Sequence, residues 1–427
     1  MVVRVGRALR FVIPFALVSS TASAEDPEQG GESKVTEDEA ASSSTPSTPV
    51  AASPVKAELA ISSTAPAPDP ALPPPGKDKF ELTVFGFLRL QYKAIQNDPN
   101  VEFVGRDDGF ELQNARIGLR GTLGTRAAIV VSVDGAVDER EQINVPQGNL
   151  RVGLRDAYAD FFLGKRRDRA NGSVMSEMLV RAGFFQTWAE PQTQIPDVLR
   201  EFIDRPLESR GIRPNEGFQT QGLTPGRSLG VALRLQPQFG YDTLNGGFEL
   251  AIQNGADEFA SNNDNDKPAV SASGLIRFAK DGHAVATARY NPRTVGELPF
   301  RQDENDLSGT LGLRIPAGPL AIGGGAAVVR TTFSTTGGPA QTAVGAHAQL
   351  TFRAGSEALP LMLGYRFGLF DPSSLFVTDR VMEHTVGGVL GVPRYRMRVQ
   401  LQLTHVIEQA ARELSNSRAQ VAVELSL

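Results

Sequence analysis

The stretch YRMRVQLQLTH, Tyr395 to His405, alternates almost without error. Tyr395, Met397, Val399, Leu401 and Leu403 are apolar or aromatic, while Arg396, Arg398, Gln400, Gln402 and Thr404 are polar. A period of two is a β-strand with one oily face and one polar face. In a soluble protein the oily face covers a core. In a membrane barrel it meets lipid and the arginines line the lumen.

The same texture runs from Lys79 to Leu427: strand-like segments separated by Gly, Asn, Asp or Pro, with few helical periodicities of useful length. FELTVFGFLRLQY places Phe80, Leu82, Val84, Leu88, Leu90 and Tyr92 on one face and Glu81, Thr83, Arg89 and Gln91 on the other, with Phe85 and Phe87 breaking the rule. ARIGLRGTLG opposes Ile117 and Leu119 to Arg116 and Arg120; AAIVVSVDGAV opposes Ile129, Val131 and Val133 to Ser132 and Asp134; AYADFFLG repeats the pattern. Further segments begin near Met178, Ser228, Phe248, Ala269, His283, Leu307, Leu320, Thr342, Leu359, Arg380, Tyr395 and Ser417. The total is about sixteen, an even number typical of bacterial outer-membrane barrels. The fold expected is therefore all-β, a transmembrane antiparallel barrel of about sixteen strands.

A soluble β-sandwich also alternates, but three features favour the barrel. The polar faces carry Arg and Gln, and lysine is scarce past residue 78. The final run AQVAVELSL alternates to Leu427, as a closing strand does. An open edge that oily would aggregate, whereas closure removes the edge.

Composition adds the topology of export. Arg4, Arg7 and Arg10, the apolar run Phe11 to Val18 and Ala22-Ser23-Ala24 form a signal peptide over 1–24. Residues 25–78 are rich in Pro, Ala and Ser, with ten acidic side chains against three basic, and form a disordered tether. With a net charge of −5 overall, the chain's acidity belongs to this segment, and 79–427 is the barrel domain. There is no cysteine, hence no disulfide. No segment approaches the roughly 20 apolar residues of a spanning helix, so any membrane embedding is by strands.

In order, FELQNARIGLRG, VSVDGA, LRDAYADFF, VRAGFFQTWAEP, REFIDRPLESRG and PGRSLGVALRLQ resemble the phosphate- and polyphosphate-selective porins of the outer membrane, over essentially all of 79–427. The resemblance implies a homotrimer and a long loop after the fifth strand that folds inward to narrow the pore; the matching segment is 186–226. The family's phosphate specificity is associated with clustered lysines at the constriction, and this segment has none. Independently of the resemblance, such a length is far beyond a simple hairpin and marks a functional or a disordered segment. It carries Arg200, Arg205, Arg210 and Arg213 among Asp197, Glu201, Asp204 and Glu208, and the spacing of Val198 and Phe202 predicts one short helix stopped by Pro206. The alternative is an extracellular lid or trimer-latching loop. Trp188 is placed in an interface girdle or in loop packing.

The polar phase of the strands holds Arg89, Arg116, Arg120, Arg181, Arg234, Arg277, Arg314, Arg353, Arg366, Arg396 and Arg398. Guanidinium groups match carboxylate and phosphate oxygens, and a column of them in a narrow lumen concentrates anions. Asp134, Asp156 and Asp160, with Glu249, Glu383 and Glu424, share that phase and counter them. The expected partners are small inorganic or organic anions and outer-membrane lipid. The rivals are a general diffusion pore, a channel for organic acids or polyphosphate, or a structural or adhesive barrel.

Enzyme chemistry has no footing. His283, His347, His384 and His405 are scattered with no motif neighbour, no paired-His spacing suggests a metal, and no cofactor is implied. GTLGTR and GVLGV lack the lysine and following helix of a phosphate loop. The basic residues have no interleaved surface aromatics, so nucleic-acid binding is unsupported.

Overall fold

The computed structural model describes residues 79–427 except 97–107, 138–150, 168–171, 173, 213–219, 239–243, 256–266, 280, 296–301, 334–338 and 410–412. The signal peptide, the tether and Arg213 lie outside the described residues.

Sixteen antiparallel strands close on themselves in chain order. They are β1 Phe80–Ile95, β2 Gly109–Leu123, β3 Ala127–Val137, β4 Arg151–Arg167, β5 Val174–Gln186, β6 Arg227–Pro237, β7 Asn245–Gln253, β8 Ala269–Phe278, β9 Gly282–Val295, β10 Gln302–Ala317, β11 Leu320–Phe333, β12 Gln341–Ser356, β13 Leu359–Asp371, β14 Val381–Val392, β15 Met397–Glu408 and β16 Arg418–Ser426. Closure is made by β1 on β16, with Leu88 opposite Leu425 and Tyr92 opposite Val421. Every strand then has two partners, which meets the demand that backbone polar groups in lipid be satisfied internally.

The phase of β15 decides which side is inside. Leu401 and Leu403 are each 51% exposed, whereas Gln400 and Gln402 are each 1% exposed. Oily is outside, and the outer face of the other strands repeats the pattern with Leu, Ile and Val. Aromatic residues flank this apolar belt: Tyr92 packs edge-on to Phe110, with ring centroids 5.2 Å apart, at one end, and Phe80 and Phe352 lie exposed near the other. Such girdles sit at the two membrane interfaces.

The ends differ. Short turns such as 318–319 and 357–358 join even strands to the next odd one, while the longer connections, including 187–226, all leave the opposite end. Outer-membrane barrels place short turns in the periplasm and long loops outside.

One expectation on the strands changes. Pro393–Tyr395 form a 3₁₀ turn and Arg396 takes a left-handed φ of 50°, so β15 starts at Met397. The alternation at Tyr395 and Arg396 belongs to a chain reversal, and Arg396 does not line the lumen wall. Phe85 and Phe87, which broke the rule, face inward. Phe85 covers Gly118 on β2, where a Cβ would lie 2.4 Å from the ring, and the Arg89 and Arg116 guanidiniums stack on Phe87 at 5.3 and 5.0 Å.

Candidate functional site

The β5–β6 loop leaves the long-loop end and folds into the lumen. It runs as irregular chain with 3₁₀ turns at Pro191–Gln194 and Asp197–Leu199 and one helical turn, α1, at Leu207–Arg210. The helix expected before Pro206 is absent; Pro206 instead precedes α1 as its N-cap. Proline cannot continue a helix but is preorganised to start one.

Irregular backbone at membrane depth needs hydrogen-bond partners. The lumen wall supplies them. Arg89 donates to the Asp197 carbonyl at 3.2 Å, Arg398 to those of Val198 and Arg200, Gln113 to that of Ile203 at 3.3 Å, and Arg366 to those of Asp204 and Arg205 at 3.0 and 3.4 Å. The Gln402 side-chain oxygen accepts from the Ile203 amide at 2.9 Å, and Arg277 donates to the Gln194 side chain at 2.9 Å.

Acidic side chains of the loop add ion pairs and hydrogen bonds. Glu201 meets Arg314 at 2.5 Å and accepts from Gln349 at 2.7 Å. Glu208 meets His347 at 2.5 Å, and Asp204 meets Arg418 at 3.5 Å. In the reverse sense, Arg210 of the loop reaches Glu383 of β14 at 2.6 Å. Trp188 is buried against Leu275 and Val285 of the wall, and its amide donates to Glu249 at 2.7 Å. It belongs to loop packing and not to an interface girdle.

The wall also makes room. A Cβ on Gly312 would lie 2.5 Å from Pro191, one on Gly345 2.3 Å from Glu208, and those on Gly364 and Gly387 2.9 and 3.1 Å from the Phe202 ring. Four inward-facing glycines on β10, β12, β13 and β14 thus form a bed that only a bare backbone provides.

Most of the predicted arginines are engaged. Arg89 pairs with Glu424, Arg234 with Glu249, and Arg181 holds Asp160 by two bonds of 2.7 and 2.8 Å while lying 3.7 Å over the Tyr158 ring. Arg353 meets Asp281 at 3.1 Å near the short-turn end. Asp156 accepts from Arg227 at 2.9 Å, and Asp134 accepts from the Ala115 amide at 2.9 Å and lies 3.6 Å from Arg116. Arg120 takes the lumen phase opposite Thr83 and Val130 but is exposed and makes no ion pair among the described residues.

Between the loop and the wall a cavity of about 730 Å³ opens toward the long-loop end. Among the described residues nine arginines line it, namely Arg89, Arg116, Arg155, Arg200, Arg205, Arg210, Arg227, Arg289 and Arg293, against four carboxylates, Asp134, Asp197, Asp204 and Asp306. Asp197 is its focus: Arg116 and Arg200 both pair with it, and Arg155 lies 3.8 Å away. Burial pushes its carboxyl pKa up, but Arg200, Arg116 and Arg155 outweigh that and hold it well below the usual carboxylate range. Arg205 lines the same cavity without an ion pair among the described residues, and Arg289, likewise without one among them, donates to the Gly255 carbonyl at 3.1 Å.

Sequence reasoning missed Arg155, Arg289 and Arg293. The last two share the odd phase of β9 with His283 and Thr287, so period two places them inward. Arg155 sits where the β3–β4 register shifts, which lets it and Asp156 both serve the lumen.

No family model and no curated protein matches the sequence. Solved structures do match in fold. The outer membrane channel DcaP of Acinetobacter baumannii aligns at TM-score 0.54 with 14% identity, over 82% of this chain and 99% of its own. An anion-selective porin from Comamonas acidovorans gives 0.52 with 15% identity over 82% and 100%. OmpT, an outer membrane protein of Vibrio cholerae, gives 0.51 with 10% identity over 82% and 99%. The fold is that of an outer-membrane porin. A porin-fold barrel with an apolar belt and a polar lumen is a multi-pass protein of the bacterial outer membrane.

Proposed function

We propose that this protein is a passive, water-filled diffusion channel of the outer membrane that favours small anions. One observation carries the reading: among the described residues, the cavity between the inward loop and the wall has nine arginines against four carboxylates. Fixed charges between low-dielectric walls are weakly screened, so this excess raises local anion concentration. Planar guanidinium forks suit oxyanions, phosphate and carboxylates among them, better than they suit chloride. The lumen arginines predicted from sequence, Arg396 excepted, and the loop residues Arg200, Arg205 and Arg210 are the proposed lining, with Arg205 and Arg289 the groups most available to a passing anion.

Because 186–226 has no lysine, phosphate is proposed as one permeant among several rather than a tightly held cargo. The homotrimer implied by the family resemblance belongs to this proposal, as do the signal peptide over 1–24 and the spacer over 25–78. A general diffusion pore is the second reading, favoured by the burial of Arg89–Glu424, Arg181–Asp160 and Arg234–Glu249 as neutral pairs.

Planar-bilayer recording under a KCl gradient separates the two. The expected reversal potential has the sign of anion preference, with phosphate reducing chloride current weakly. A cation-selective sign overturns the proposal and assigns the lumen field to the carboxylates.

A further inference from the structure

We propose that His384 and His405 form a two-imidazole site on the outer wall for a borderline divalent transition cation, Zn²⁺, Ni²⁺ or Cu²⁺. The site takes no part in the channel described above.

The two histidines are directly opposite each other on neighbouring strands β14 and β15. Each takes the outward phase, between Met382 and Val386 on one strand and Leu403 and Ile407 on the other, close to the long-loop end. Opposite residues of an antiparallel pair have Cβ atoms about 4.5–5.5 Å apart. Two imidazoles at that spacing can share one ion at about 2.0–2.1 Å from each nitrogen.

The ring orientations supply a second, independent argument. The strands run in the order β13, β14, β15, β16. His384 Nδ1 lies 2.8 Å from the Tyr365 hydroxyl, on the β13 side. His405 Nδ1 lies 3.0 Å from the Ser417 hydroxyl, at the residue before β16. Each Nδ1 therefore points away from the β14–β15 seam, and the opposite edge of each ring, which carries Nε2, turns toward it. In the tautomer that donates from Nδ1–H to the hydroxyl oxygen, Nε2 keeps its lone pair. This is the outer-shell arrangement that orients a metal-binding histidine. His384 is further held by Phe367, with ring centroids 5.1 Å apart.

Imidazole nitrogen selects Zn²⁺, Ni²⁺ and Cu²⁺ over the oxygen-seeking Ca²⁺ and Mg²⁺. No group of three or more His, Cys, Asp or Glu suited to a metal occurs among the described residues, so the protein supplies two ligands and water the others. The chain has four histidines and no cysteine, and the other two, His283 and His347, are buried in the lumen.

The test is Cu²⁺ titration of the full chain, purified without a histidine tag in detergent and stripped with chelator, read by electron paramagnetic resonance. One Cu²⁺ per chain with splitting from two nitrogens is expected. His384→Ala and His405→Ala should each abolish the two-nitrogen signal while the folded barrel is retained, as judged by circular dichroism. Tyr365→Phe, which keeps both imidazoles and releases one tautomer, should weaken binding by about 10- to 100-fold. Absence of bound Cu²⁺ in the unmodified protein, or a two-nitrogen signal that survives His384→Ala, overturns the proposal.

Discussion

Two sets of arginines face the same lumen and do different work. Under the loop, Arg314, Arg366, Arg398 and Arg234 are tied to carboxylates or backbone carbonyls and hold irregular chain against the wall. In the cavity between loop and wall, Arg205 and Arg289 lack ion pairs among the described residues. Residue type is alike in both, and Arg289 shares the inward strand phase of the first set, so neither property predicts function. What separates them is whether the loop delivers an acceptor.

The largest test of that division is Glu249→Gln, which leaves Arg234 buried beside a neutral group. Removing one partner of a buried pair costs about 3–5 kcal/mol. The unfolding midpoint in detergent should drop, and the fluorescence of Trp188, the lone tryptophan, should shift because its amide loses the carboxylate. An unchanged midpoint would place Arg234 with the available set.

Next comes the double substitution Arg205→Gln with Arg289→Gln. Stability should stay within about 0.5 kcal/mol, as for changes that break no pair. The reversal potential should move toward zero, more at low salt than at high salt. Loss of stability with selectivity intact would invert the assignment.

Asp197→Asn should produce a smaller gain in anion preference, by removing the one carboxylate at the centre of Arg116, Arg155 and Arg200. The native carboxyl also sets a pH limit. Its folded pKa lies below the ordinary aspartate value of about 3.9. Its contribution to loop docking is therefore complete above that value and is lost only as pH falls through the lower, folded one. Selectivity recorded between pH 7 and pH 5 should be flat with respect to this group, and a step in that window that Asp197→Asn removes would contradict the geometry.

The smallest effect is expected from Arg396→Gln. Arg396 stands in the β14–β15 turn, so conductance and reversal potential should match the unmodified protein. A measurable loss of anion preference would mean that the periplasmic rim takes part in selection.

The barrel was legible because period-two alternation is local: each strand declares its two faces, and β15 does so over nearly its whole length. The loop's inward path was legible only as length and charge. Its partners lie far away in sequence, Arg398 for the Val198 carbonyl and His347 for Glu208, and no local pattern announces such pairs. The same distance explains the misplaced helix. Val198 and Phe202 have helical spacing, yet Phe202 is fixed by the bare backbone at Gly364 and Gly387, and tertiary contact overrode propensity. Arg289 and Arg293 could have been read from the alternation of β9, whereas Arg155 required a register shift that sequence does not reveal.

The glycine bed also imposes a schedule. Arg89, Gln113 and Arg116 of β1 and β2 come before the loop in the chain, but its seats at Gly312, Gly345, Gly364 and Gly387, and its ties to Arg398, Gln402 and Arg418, all come after it, from β10 to β16. Nothing made before residue 312 can complete its docking. The wall must approach closure first, and the constriction is the last part of the molecule to take shape. During insertion the nascent lumen is consequently wider than the mature one, and protection of the loop from protease should lag behind the appearance of sheet.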